Sequence, residues 1–177
     1  MTQVILREAE PSDIESIINL EKQCFNAYTQ ESEEVYKNRM KYFPQGFIVL
    51  EDDGVLCGAV SSEIWNYKEN ISIEDFTLGH SIEKSDPSGD ELYVSSLCVS
   101  PRYRGKNYGK RLLNELFVRV RTRFSKVTKG ILLVNEAWTN AIRIYRDLGF
   151  EYANEFPNFF VADDGSERKA IVMRKTF

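Results

Sequence analysis

The sequence predicts a mixed α/β (α+β) chain, built on one twisted sheet with helices on both faces. Three observations lead there. Strand-length apolar runs alternate with helical-period segments in the order β-α-α-β-β-β-α-β-α-β-β, with no internal repeat. Turn formers punctuate that order, including Asp-Asp-Gly at 52–54 and again at 163–165. The chain has 177 residues, and at about 150 residues per domain residues 1–177 are expected to form one domain.

Val4, Ile5, Leu6 and Arg7 make the first strand, stopped at Ala9-Glu10-Pro11. Ser12-Asp13-Ile14-Glu15 reads as a capping box, with Ser12 accepting from the amide three residues on and Glu15 reaching back. Ile14, Ile17, Ile18, Glu21 and Phe25 fall at helical spacing, so a helix is expected to about Cys24. A second helix runs through Glu33, Val35, Tyr36, Arg39 and Met40 and ends at Pro44-Gln45-Gly46. Residues 47–50 and 55–60 form a hairpin about the first Asp-Asp-Gly. Residues 66–90 are polar and rich in turn formers and are expected to be a mobile loop, not a linker. Residues 91–99 form a strand that Pro101 stops. Leu112, Leu113, Leu116, Phe117 and Val120 build one helical face after Gly109. Residues 131–134 form a buried strand, and Ala141, Ile142, Ile144, Tyr145 and Leu148 a helix closed by Gly149. The last two strands, at 159–161 and 170–173, flank the second Asp-Asp-Gly. Paired aspartates resemble metal ligands, but turn chemistry accounts for both pairs.

Composition narrows the function. The longest apolar runs, such as Ile131-Leu132-Leu133-Val134, are far too short to span a membrane, and the opening residues lack the basic start and apolar stretch of a secretory signal. One His and no Cys-x-x-Cys pair leave too few soft ligands for zinc, and a His-based triad has only His80 to use; no metal is expected. Cys24, Cys57 and Cys98 sit far apart among apolar neighbours, which fits buried thiols of a cytoplasmic protein. A net charge of −4 argues against nucleic acid and is compatible with a small cationic substrate. The basic run Arg119, Arg121, Arg123, Lys126 and Lys129 reads as a solvated helix end.

The informative segment is residues 102–111, Arg-Tyr-Arg-Gly-Lys-Asn-Tyr-Gly-Lys-Arg, between a strand and an amphipathic helix. Gly105 and Gly109 permit backbone conformations closed to other residues, and Asn107 tolerates them next best. Such a turn exposes consecutive amides at a helix N-terminus, with Arg104, Lys106 and Lys110 adding charge, so a pyrophosphate is the natural occupant. Walker spacing is absent, since three residues separate the glycines and Arg111 stands where Ser or Thr belongs. The dinucleotide fingerprint is absent as well.

These residues resemble the signature of the Gcn5-related N-acetyltransferase (GNAT) superfamily, Arg/Gln-x-x-Gly-x-Gly/Ala. Residues 104–109 match it at the first and last positions, with Asn107 in place of the middle glycine. Residues 134–150 resemble the family's strand–helix block ending in Tyr-x-x-x-Gly-Phe, and Leu6-Arg7-Glu8-Ala9 followed by Ser12-Asp13 is similar to its opening. Together the three blocks cover nearly the whole chain. The resemblance implies a single twisted, mostly antiparallel sheet of about seven strands flanked by about four helices. It implies acetyl-CoA as cofactor, with coenzyme A as product. Backbone amides of Arg104, Gly105, Lys106, Asn107, Tyr108, Gly109 and Lys110 would hold its pyrophosphate. Main-chain groups of Leu97, Cys98 and Val99 would pair with the pantetheine arm and acetyl carbonyl. Tyr145 would protonate the departing thiolate, which a phenol with a pKa near 10 can do at neutral pH. Trp138 stands where the family usually has Asn, so Asn135 is left as the alternative side-chain contact.

An amine arrives as ammonium and must lose a proton before it attacks. Tyr93 occupies the strand position where relatives carry Glu or His, and it is a poor base. Glu91, Tyr93 and Ser95 share a strand face by alternation, so Glu91 acting through water, relayed by Ser95 and Tyr93, is the expected base; Glu63 and His80 are further candidates. Residues 46–99 are loosely similar to the arylalkylamine and polyamine branch. Phe25, Tyr28, Glu33, Glu34 and Tyr36 lie where the first two helices usually shape the acceptor site, and aromatic rings with carboxylates suit a cation. The expected activity is N-acetylation of a small primary amine by a monomer or homodimer. Two alternatives stay open: acetylation of peptide or protein N-termini or lysines, and a catalytically weak acyl-CoA-binding sensor.

Overall fold

A computed structural model describes residues 3–80, 82 and 85–177. β1 (Val4–Glu8) leads into α1 (Ile14–Cys24) and α2 (Glu33–Tyr42), then β2 (Phe47–Asp52), β3 (Val55–Trp65) and β4 (Glu91–Val99). α3 (Tyr108–Arg123), β5 (Lys129–Asn135), α4 (Thr139–Asp147), β6 (Glu151–Val161) and β7 (Glu167–Thr176) complete the chain. The order of elements is the one the sequence predicts. The strands form one sheet in the order β1-β2-β3-β4-β5-β7-β6, antiparallel throughout except where β4 meets β5.

The hairpin turns follow from their residues: Asp53 (φ 50°) and Gly54 (φ 79°) both take the left-handed conformation that matches the strand twist. The start of α1 differs from expectation. Ser12 lies in a short 3-10 turn, and the capping carboxylate is Asp13, which accepts from the Glu10 amide at 2.8 Å and is ion-paired with Arg7. Pro11 fixes that turn, and the cap moves with it.

Side chains of alternate strand residues fill two cores. On one face, Leu112, Leu113, Leu116 and Val120 of α3 and Ile142 and Tyr145 of α4 pack on Ile48, Leu50, Val60, Ile64, Leu92, Val94, Leu132 and Val134. On the other, Ile17, Leu20, Tyr36 and Met40 of α1 and α2 pack on Phe47, Val49, Ala59 and Cys98. The β3–β4 connection is anchored on that second face. Phe76 is buried against Tyr93, Ile131 and Val172, while His80 reaches Glu63. The described part of this segment is therefore packed onto the sheet where a mobile loop was expected; Ser81, Glu83 and Lys84 lie outside the described residues, as do Met1 and Thr2 at the chain start.

Two local features set the shape of the sheet near its centre. β4 and β5 pair only from Glu91 opposite Lys129 to Val94 opposite Leu132. Beyond that point β4 stays with β3 and β5 with β7, so the sheet forks. At the fork Ser95 has no cross-strand partner, because the β3 register jumps from Ser61–Ser96 to Ser62–Val94. Such a bulge increases local twist and turns the rest of β4 away from its neighbour.

Candidate active site

A groove of about 830 Å³ opens beside the fork. Leu97 and Val99 of β4 line one side, Trp138, Ala141 and Ile144 the other, and Arg104, Gly105, Asn107, Gly109 and Lys110 its end. Gly105 (φ 84°) and Asn107 (φ 61°) carry left-handed backbone there, and Asn107 caps the 16-residue α3. Open space surrounds the position of a Gly105 Cβ, so the dihedral and not crowding asks for glycine. None of the amides from Gly105 to Lys110 meets an acceptor among the described residues. Six unpaired N–H groups at a helix N-terminus make an anion cradle. Asp52 fixes the loop from its far side, accepting from Lys106 Nζ at 2.8 Å and from the Tyr108 hydroxyl at 2.6 Å.

Tyr145 lies on the buried face of α4, in the core with Ile142, and does not itself line the groove. Its hydroxyl has no acceptor among the described residues, and burial, with the Cys98 thiol adding, pushes the phenol well above its ordinary range. It stays protonated at any physiological pH. Tyr93, stacked on Trp65 with ring centroids 4.0 Å apart, is likewise held far up by burial and by the charges of Glu31 and Glu63.

Next to Tyr93 lies a buried charge network. Glu63, fully buried, accepts from Trp65 Nε1 at 2.9 Å and faces His80 Nε2 at 2.8 Å. His80 Nδ1 lies 2.8 Å from the Thr77 carbonyl, which can only accept, so one more proton is shared between Nε2 and Glu63. Burial opposes the charged imidazole, but Glu63 and Thr77 outweigh it and hold His80 above its usual value. Arg39, 2% exposed, pairs with Glu31 and lies 3.8 Å from Glu63.

The fold and groove agree with a sequence comparison. The model for the "Acetyltransferase (GNAT) family" matches residues 14–150. The chain belongs to the GNAT family. It is 30% identical over 113 residues to "Probable hydrolase YhcX" of Bacillus subtilis (strain 168), covering 62% of this chain and 22% of that protein. It is 30% identical over 119 residues to "Uncharacterized N-acetyltransferase YkwB" of the same organism, covering 63% and 53%. The chain thus spans about a fifth and about half the length of these two relatives. Among solved structures it superposes on the loading GNATL domain of CurA from Lyngbya majuscula with a TM-score of 0.81 at 16% identity, covering 98% of both chains. Arabidopsis thaliana Naa50, in complex with the bisubstrate analogue CoA-Ac-MVNAL, gives 0.72 at 18% identity, covering 98% of this chain and 99% of that one. At these identities the two structures attest the fold.

In this GNAT chain the sequence candidates separate into groups. Leu97, Val99, Arg104, Gly105, Asn107, Tyr108, Gly109, Lys110 and Trp138 all line the groove, as does Phe25, which meets Trp138 at 5.4 Å between ring centroids. Tyr145 lies just behind them, packed with Ile142 and Ile144. Lys106 is turned to Asp52. The Asn135 side chain accepts from the Ala137 amide at 2.9 Å, supporting the turn into α4, and does not line the groove. Glu91 stands apart. It is buried, ion-paired with Arg174 at 3.0 Å, and six residues before Leu97, or about 20 Å along an extended strand. Alternation puts it on the face of Tyr93 but cannot bring it along the strand. Ser95 is held by Ser61 at 2.8 Å. The acceptor set also divides: Tyr28 and Glu33 are exposed, Glu33 being paired with Lys37, and Tyr36 is core, donating to Glu21 at 2.6 Å. Sequence reasoning missed Arg39, Glu31 and Ser61, and it missed Asn140 and Arg143, which line the groove. The last two share a face of α4 at i, i+3 spacing, a signal that was available once the helix was placed.

Proposed function

We propose that this GNAT chain is an acetyl-CoA-dependent N-acetyltransferase acting on a small primary amine, of the arylalkylamine or polyamine kind. The observation that carries it is the forked sheet, whose unpaired edge at Leu97–Val99 runs into the amide cradle at Gly105–Lys110. The residues fit coenzyme A: the cradle for its pyrophosphate, the β4 edge for pantetheine amides, and apolar Leu97, Val99 and Ile144 for its alkyl chain. Bound there, acetyl-CoA supplies the activated acyl group.

The protein's own part is to position and to donate. Tyr145, protonated and free of other acceptors, gives its proton to the departing thiolate. Tyr93 is held too high to be a base, Glu91 too far away, and Glu63 is already occupied by Trp65 and His80. The acceptor's proton therefore passes to water at the fork. A small acceptor is favoured by what covers that end: Asn26 donates to the Val161 carbonyl at 2.8 Å, while Phe25, Trp138 and Phe160 meet ring to ring. This bridge ties the α1–α2 connection to β6 and leaves an aromatic wall, suited to an aromatic or cationic amine.

Thiol release from acetyl-CoA, measured with a panel of arylalkylamines, polyamines and short peptides from pH 6 to 10, tests the reading. An alkylamine with a pKa near 10 is only about 0.1% neutral at pH 7, so the rate should climb about tenfold per pH unit until the amine is free. Preference for a peptide N-terminus would replace the acceptor assignment. Binding without turnover of any amine would favour a sensor.

A further inference from the structure

A buried carboxylate grips the cradle loop from outside the groove. Asp52, the last residue of β2, is 3% exposed. One of its oxygens, Oδ2, accepts both from Lys106 Nζ at 2.8 Å and from the Tyr108 hydroxyl at 2.6 Å. Those two residues flank Asn107, whose left-handed backbone (φ 61°) opens α3 without a side-chain cap of its own. A non-glycine residue keeps such a conformation only when its surroundings hold it there.

We propose that Asp52 is a positioning residue for acetyl-CoA. By holding the residues on either side of Asn107 to one oxygen, it fixes the left-handed turn that aims the amides of Gly105 to Lys110 into the groove. The inference rests on reading the groove as a coenzyme A site. It assigns Lys106 to the loop and not to the pyrophosphate, because its ammonium is already engaged by Asp52. An acid thus helps an anion to bind.

The surroundings suit this role. Lys106 Nζ also lies 5.1 Å from the ring centre of Tyr103 and 5.6 Å from that of Tyr108, so two rings and a carboxylate hold it. Lys106 is half-exposed, which makes its ion pair the weaker tie. Tyr108 is buried in the core with Leu112, and its hydroxyl is the firmer one. Both donors keep the Asp52 carboxyl below its usual range, so it stays an ionised acceptor at neutral pH. Charge alone predicts the opposite sign, since a negative group beside an anion site repels the ligand and its removal should tighten binding. Positioning is what makes its loss weaken binding.

The test measures acetyl-CoA binding by calorimetry for the parent, Asp52→Ala, Asp52→Asn, Tyr108→Phe and the Asp52→Ala/Tyr108→Phe double variant, each checked for folding by thermal melting. Tyr108→Phe changes no charge and decides the matter if Asp52→Ala does not fold. Asp52→Ala and Tyr108→Phe should each weaken binding at least about tenfold, and the double variant should be no more than about twofold worse than the weaker single, because both break one tie. Asp52→Asn still offers an acceptor to the Tyr108 hydroxyl and should recover at least about threefold over Asp52→Ala. Amide hydrogen exchange should quicken at 105–110 in both single variants and stay unchanged in β5. A folded Asp52→Ala that binds as tightly as the parent or tighter overturns the proposal, as does Tyr108→Phe within twofold of the parent or fully additive losses in the double variant. Each of these leaves the groove assignment standing, since the parent binds. A parent that fails to bind acetyl-CoA removes the groove reading itself and the proposal with it.

Discussion

Tyr145→Phe should slow turnover while leaving the fold and cofactor affinity intact, and its size can be worked out. The Tyr145 hydroxyl has no acceptor among the described residues, so removing it strands no buried partner, and stability should change by less than about 1 kcal/mol. The ring's packing against Phe150, with centroids 6.1 Å apart, is retained. What is lost is the O–H that stabilises the charge developing on the leaving sulfur, a hydrogen bond to a charged group worth about 1.5–3 kcal/mol. That is about 10- to 150-fold. Because the site is buried, the anion is dearer than in water, and a loss of about 100-fold is expected, inside the 100- to 10,000-fold range of general acids. The parent should show no fall in rate up to pH 10 from Tyr145, since burial keeps the phenol protonated above that range. The assay is single-turnover thiol release at saturating acetyl-CoA, with calorimetry for affinity and thermal melting for stability. A kcat within threefold of the parent, at unchanged KM, would refute the acid role and leave Tyr145 as packing.

Three further outcomes can be measured. A Cβ at Gly109 would make ordinary contacts, the nearest being Ile144 at 3.6 Å, so Gly109→Ala should fold and gain up to about 1 kcal/mol of helix stability. Gly109→Asp puts a carboxylate between Leu97 and Ile144 at the anion cradle and should weaken acetyl-CoA binding by calorimetry; unchanged affinity in a folded variant would sink the cradle. Glu91→Gln breaks the pair with Arg174 and should cost about 1–3 kcal/mol in urea unfolding while leaving kcat per folded molecule and its pH profile unchanged. A selective loss of activity at neutral pH would instead return Glu91 to the role of base. His80 has a raised folded pKa, so its contribution to stability is fully present below its unfolded value near 6.5 and fades as pH rises through the folded one. The stability gap between parent and His80→Asn should therefore be widest at pH 5 and narrow toward pH 9; a gap that widens with pH would contradict the shared proton.

The sequence by itself determined the order of elements, because each declares itself locally. Apolar spacing separates α3 from β4, Gly149 (φ 86°) closes α4, and Asp53-Gly54 turns the hairpin, all within a few residues of chain. The cradle at 104–110 was equally legible, since its chemistry is carried by backbone conformation that Gly105 and Asn107 write directly into the sequence. Irregular strands were harder: β6 begins at Glu151, eight residues before the apolar triplet that marked it, because its early residues face solvent along an exposed edge. Side-chain partnerships across the sheet lay beyond local reading. Alternation put Glu91 and Tyr93 on one face, but only the pairing of β4 with β5 and of β5 with β7 brings Arg174 to Glu91, and only the packing of the β3–β4 connection brings His80 to Glu63. The same holds for Arg39, which reads as an ordinary helical residue until α2 docks and buries it against Glu31 and Glu63. The Cys98 thiol reaches Glu21, 77 positions away, only because α1 packs on β4. Periodicity reports which way a residue faces; which charge or thiol it faces is decided by strands and helices distant in sequence, whose pairing no local pattern encodes.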